Sequence, residues 1–136
     1  LRYFSLFLIL LFTILSGAAH AETESVTVRA NRSTSLMSFS VFVKSSCYTS
    51  GKVDYSFSNK PDHGKVTVSY QRYTLGKSAG RCAGKPAGAM VVNYTPDRGY
   101  RGKDKFTLMF HYSLFHGELG NMPRKTSHYT YNVTVK

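Results

Sequence analysis

The chain has 136 residues, 42% of them hydrophobic and 14% aromatic, with 18 Lys and Arg against 7 Asp and Glu for a formal net charge of +11. This length excludes more than one ordinary domain but suffices for a single buried core. The cationic excess bears on partners rather than fold and directs attention to acidic ones: polysaccharide, lipopolysaccharide or other cell-envelope groups, or an acidic protein, with nucleic acid ranked below these, the alternative being a basic surface that only keeps the domain in solution.

Residues 1–21 read as a cleavable targeting segment. Arg2 supplies a positive start, Leu6 to Leu15 an apolar run, and Ala19-His20-Ala21 a small-x-small cleavage site. Ser16, Gly17 and His20 cut the run short of the roughly 20 apolar residues a membrane span needs. The expected mature domain is 22–136, periplasmic or secreted, without a membrane span and with a net charge of +10 from 17 Lys and Arg against 7 Asp and Glu.

From residue 22 onward the pattern is all-β. Strands are expected around Val26 and Val28, around Phe39, Val41 and Val43, around Val53, Tyr55 and Phe57, and around Val66, Val68 and Tyr70. Three more are expected over 90–95, 103–112 and 127–135, giving about seven strands separated by Gly- and Pro-containing turns and no helical period. Ten tyrosines without a tryptophan suit half-buried strand positions, with the ring packed and the hydroxyl in water. Cys47 and Cys82 are an even pair in an exported chain, so a disulfide is expected, tying the loop around Cys82 to the end of the second strand.

That loop is the most individual stretch. Gly76-Lys-Ser-Ala, Gly80-Arg-Cys-Ala, Gly84-Lys-Pro-Ala and Gly88-Ala form a four-residue repeat with a cation after each of the first three glycines. Residues 76–89 are expected to be a mobile, solvent-facing connection that offers Lys77, Arg81 and Lys85 to a polyanion, the alternative being an insertion without a partner. Gly76-Lys-Ser-Ala-Gly80 also spells G-x-S-x-G, but that nucleophile elbow needs a following helix, which Gly80, Gly84 and Pro86 forbid.

The stretch from Asn93 to Leu108 organises the rest. Pro96 is expected to pre-set a turn, and Gly99 and Gly102 to permit conformations a Cβ would obstruct, after which Asp104, Phe106, Leu108 and Phe110 share one face of a strand. A carboxylate heading an apolar face requires hydrogen bonds, and Asp104 is expected to accept them from the backbone of the 97–102 corner. Tyr94, Pro96, Gly99, Tyr100, Gly102, Asp104 and Phe106 together resemble the Y-x-P-x-x-G-[FY]-x-G-x-D-x-F signature of bacterial immunoglobulin-like and cadherin-like repeat domains. Pro61-Asp-His-Gly64-Lys-Val66 and Asn132-Val-Thr-Val135 resemble the earlier turn and the last strand of the same domains. The resemblance implies an immunoglobulin-like (cadherin-like) antiparallel β-sandwich; such domains usually occur as many tandem copies, whereas this chain has room for one, and nothing here matches the D-x-N-D-N calcium ligands.

The last long connection, 113–125, sets Leu114, Phe115, Leu119 and Met122 beside Arg124 and Lys125. It either folds back over the sandwich end or enters a protein partner's cleft. His63, His111, His116 and His128 with Met109 and Met122 are ligand types that copper sites use. Cleavage after Ala19 would expose His20 as a terminal ligand, but no pair has strong ligand spacing. No metal, cofactor or catalytic set is therefore expected, and the chain reads as a binding module.

Overall fold

The computed structural model describes residues 21–113 and 124–136. Nine strands lie among the described residues: β1 (Ala21–Val28), β2 (Thr34–Phe39), β3 (Phe42–Val43), β4 (Tyr48–Thr49), β5 (Asp54–Asn59), β6 (Gly64–Thr74), β7 (Pro86–Pro96), β8 (Gly102–Tyr112) and β9 (Lys125–Val135). One 3-10 segment, Lys77–Cys82, lies between β6 and β7. The strands form a four-stranded sheet in the order β1-β9-β8-β5, a three-stranded sheet in the order β2-β7-β6, and a two-stranded hairpin of β3 and β4. The expected antiparallel pairing holds for every pair but one: β1 runs parallel to β9 over eight residues, from Ala21 opposite His128 to Val28 opposite Val135. The second expected strand divides, β2 ending at Phe39 and the chain resuming as β3 at Phe42.

The alternation that marked β8 in the sequence is its packing. Asp104, Phe106, Leu108 and Phe110 are buried and Lys103 and Lys105 exposed, as a period of two requires of a sheet covered on one face. Opposite them, β7 turns Met90, Val92 and Tyr94 inward. The two sheets meet through Phe39, whose ring stacks on Phe110 with centroids 4.3 Å apart, and through Tyr94, parallel to Phe106 at 6.1 Å. Val28, Val41, Val53, Tyr131, Val133 and Val135 complete the core. Each fully buried Phe contributes about 1.5–3 kcal/mol through apolar burial. Tyr94 and Tyr131, contrary to the half-buried expectation for tyrosines, are 0% and 2% exposed. Burial, reinforced by Glu24 and Glu22 nearby, pushes the Tyr131 hydroxyl up to about 12.

The signature residues converge on one end of the sandwich. The Asp104 carboxylate accepts hydrogen bonds from the Asp62 N–H (2.9 Å), the His63 N–H (3.1 Å), its neighbour's Lys105 N–H (2.9 Å) and the Tyr94 hydroxyl (2.7 Å). The acceptor role is as expected, but the partner is different: Asp104 clamps the turn between β5 and β6, not the 97–102 corner. Burial alone would raise its pKa, but the hydrogen bonds from Tyr94, Asp62, Lys105 and His63 outweigh that and hold it below the ordinary carboxylate value. The corner itself closes by Tyr100 N–H to Asp97 C=O, so its central residues are Arg98 and Gly99. Pro96 does not open that turn; it is buried as the last residue of β7, opposite Gly64. Gly99 and Gly102 do hold positive φ, 78° and 138°. Gly64 answers a different need, since a Cβ there would lie 2.6 Å from the Tyr94 ring. Gly64→Val is therefore expected to cost about 1–3 kcal/mol by overpacking against Tyr94, read as a lower urea midpoint with an unchanged slope.

Candidate binding surface

Register assigns each connection to an end. Phe39 pairs with Met90 near the start of β7, Thr74 with Pro86, Asp54 with His111, and Tyr112 with Lys125. Phe39 also packs on the rings of Phe110, Tyr112 and Tyr129. The 40–53 connection, the 75–85 connection and the approach to β9 at Arg124 thus share one end, and the turns at 29–33, 60–63 and 97–101 share the other.

The Cys47–Cys82 disulfide is present, with Cα atoms 5.4 Å apart, and it tells against a free-swinging loop. Cys47 sits in the turn that follows β3, the far half of the expected second strand, and Cys82 is 0% exposed. The bridge fastens two connections together. The Arg81 guanidinium donates to the Ser45 carbonyl beside it. The 75–85 connection is further pinned by Leu75 N–H to Lys85 C=O (2.9 Å) and Gly84 N–H to Leu75 C=O (2.8 Å). Gly80 and Gly84 hold positive φ, 59° and 80°, which is why turns can close so tightly here. The expectation of an irregular segment running to Ala89 is corrected: β7 begins at Pro86, and Ala87 and Ala89 are buried, 5% and 6% exposed. Gly88, the fourth glycine of the repeat, lies in that strand, where a Cβ would meet the Tyr70 ring and hydroxyl.

Lys77, Arg81 and Lys85 are all exposed on the pinned connection. Lys44 in the β3–β4 turn, Lys52 before β5 and Arg72 near the end of β6, none of them singled out from sequence, are exposed at the same end. Arg124 and Lys125 are there too, and Arg124 is paired at 2.9 Å with Asp54, both side chains well exposed. Such a pair holds little energy and leaves Arg124 available to a competing anion. The acids described at this end are Asp54 and, at the start of β1, Glu22. Phe115, the apolar candidate, lies outside the described residues. The opposite end carries exposed cations too, Arg29, Arg32, Lys60, Arg98, Arg101 and Lys136, with Asp62 and Asp97 among them; what sets the first end apart is that its cations stand on two connections joined by a disulfide.

No family model, curated protein or solved structure matches the chain. Its chemistry must be read from its own surface.

On the outer face of the larger sheet, Ser56 Oγ lies 2.7 Å from His111 Nε2, and His111 Nδ1 lies 3.0 Å from Thr126 Oγ1. The third group is a neutral hydroxyl, which cannot stabilise an imidazolium as a carboxylate does. His63 stacks on Tyr100 at the far end (4.2 Å), and Met109 stands opposite His128 across β8 and β9. The copper-type ligands described are therefore dispersed, and among the described residues no three His, Cys, Asp or Glu side chains gather into a metal cluster. His20, His116 and Met122 lie outside the described residues. No helix among the described residues is long and apolar enough to cross a membrane, and the disulfide points to an oxidising, extracellular environment.

Proposed function

We propose that this chain is an exported, non-enzymatic binding module of immunoglobulin-like fold, periplasmic or secreted, that recognises an acidic partner through the cationic end of the sandwich. The observation that carries this reading is the convergence of Lys44, Lys77, Arg81 and Lys85 on two connections joined by a disulfide, with Lys52, Arg72, Arg124 and Lys125 around them. A pre-ordered array of cations binds a polyanion without first losing loop entropy, and its field raises the rate of encounter. The fold assignment is supported by strand order: β2-β7-β6 and β5-β8-β9 correspond to the B-E-D and C-F-G sheets of immunoglobulin-like domains, with the first strand carried over to the last. In such domains the three connections at this end are a customary recognition surface.

Titration of polygalacturonate and of poly-L-glutamate at rising NaCl tests the proposal. Binding to at least one of them is expected to weaken steadily with salt. Replacing Lys77, Arg81 and Lys85 together by Gln is expected to cost roughly tenfold or more, since exposed ion pairs contribute up to about 1 kcal/mol each. Replacing Arg98 and Arg101 at the opposite end should cost far less. Salt-independent binding, or equal losses from the two ends, would overturn it.

A further inference from the structure

Next to the cationic end, the outer face of the smaller sheet is hollowed. Ser38 and Ser40 stand on one side, Gln71 and Tyr73 on the other, and the small side chains of Ala89 and Val91 form the floor of a depression of about 320 Å³. Its size comes from the floor: Gln71 and Tyr73 of β6 face Ala89 and Ala87 of β7, so large polar or aromatic groups rise beside residues with almost no height. Tyr73 is 45% exposed, the most exposed of the large apolar side chains described, at a position where a ring flanks a pocket instead of filling the core. Ser40 donates its hydroxyl proton to the Gly88 carbonyl at 2.8 Å, which leaves its oxygen free to accept. Gln71 offers both a donor and an acceptor.

An exposed tyrosine ring beside an amide and two hydroxyls, over a shallow apolar floor, matches one kind of ligand well. A pyranose ring has an apolar C–H face that packs on an aromatic ring and an equatorial rim of hydroxyls that both donate and accept. The depression has room for one or two such rings. It also adjoins the cations: Arg72 lies on its rim, Thr74 pairs with Pro86, and the connection carrying Lys77 and Lys85 begins one residue further on.

Resting on the reading of the cationic end as an anion-binding surface, we propose that this depression is a sugar subsite, and that the acidic partner is a polysaccharide of uronic-acid type. One ring lies against Tyr73 with its hydroxyls on Gln71, Ser38 and Ser40, and carboxylates further along the chain reach Arg72, Lys77 and Lys85.

The test compares oligogalacturonate with poly-L-glutamate of matched charge, on the full domain, by calorimetric titration. Tyr73→Ala is expected to weaken oligogalacturonate about tenfold and leave poly-L-glutamate within twofold, while Tyr73→Phe, which keeps the ring, retains most of the sugar affinity. Gln71→Ala, at an exposed position on the same wall, should weaken oligogalacturonate alone and serves if Tyr73→Ala lowers the melting temperature. Unchanged oligogalacturonate affinity in both Ala variants, or equal losses for the two polymers, overturns the subsite. Binding of poly-L-glutamate without oligogalacturonate overturns it too but leaves the cationic surface standing and makes the partner an acidic protein. Binding of neither removes both.

Discussion

Asp104→Ala is expected to lower the unfolding free energy by about 3–5 kcal/mol, because it leaves the buried Tyr94 hydroxyl only its long contact with the His63 carbonyl (3.4 Å) and takes the acceptor from the part-buried N–H groups of Asp62 and His63. Urea denaturation followed by tyrosine fluorescence would report it. Tyr94→Phe removes one donor and should cost less, about 1–2 kcal/mol. A double-mutant cycle with Asp104→Asn should then show the two changes to be non-additive, since they share one hydrogen bond. The same carboxylate governs acid behaviour. Its folded-state pKa is lower than its unfolded one, so its contribution is complete above about pH 4, the unfolded value, and is lost as pH falls through the folded value. Asp104→Asn should flatten the acid limb of the stability profile. At the alkaline end the direction reverses: Tyr94 and Tyr131 are raised by burial, so their contributions are complete below about pH 10 and fall away above it, for Tyr131 between about 10 and about 12.

Removing the disulfide by replacing Cys47 and Cys82 with Ser is the second large effect. The closed loop, with a sequence separation of 35, corresponds to about 3.8 kcal/mol of chain entropy in the unfolded state. A domain of this size should lose about 15 °C or more in melting temperature. Reduction of the wild-type protein should reproduce the change, and the double Ser variant should no longer respond to reductant. The functional consequence is separable. With the bridge gone, the β3–β4 turn is held to the 75–85 connection chiefly by Arg81 on the Ser45 carbonyl. Cys47, which sits at a φ of 57° in the left-handed region, is then free to relax. If the cationic end binds a polyanion as proposed, the affinity measured well below the new melting point should fall, because the cations must be ordered at each binding event.

How much of this could be read from residues alone varies with the kind of information required. Period-two alternation located β6, β8 and β9 because a sheet covered on one face must alternate, and Asp104 was noticeable as the polar residue that broke the rule. Which groups satisfy Asp104 was not legible: Asp62 and His63 are 42 and 41 residues away in sequence, and alternation reports a face, not a neighbour. The glycine repeat misled for a physical reason. Glycines at identical spacing serve different ends, Gly80 and Gly84 through positive φ in turns and Gly88 through the close approach of Tyr70 in a strand. The parallel pairing of β1 left no trace in composition, since parallel and antiparallel edges use the same residues. At the cationic end, Lys77, Arg81 and Lys85 stood out by their spacing, whereas Lys44, Lys52 and Arg72 became part of the surface only when the topology brought their connections together. Tyr73 was hidden for a similar reason, as one tyrosine of ten until the alanines opposite it left its ring exposed.

The parallel alignment of β1 with β9 also determines how the domain bears mechanical load. Ala21 lies at the cationic end and Lys136 at the other, so tension applied through the two extremities of the domain runs lengthwise along two strands that point the same way. Such a force shears all eight paired positions at once, where an antiparallel hairpin pulled at its open end would peel apart rung by rung. Loaded between those two extremities, the domain is expected to yield abruptly at high force instead of stretching gradually.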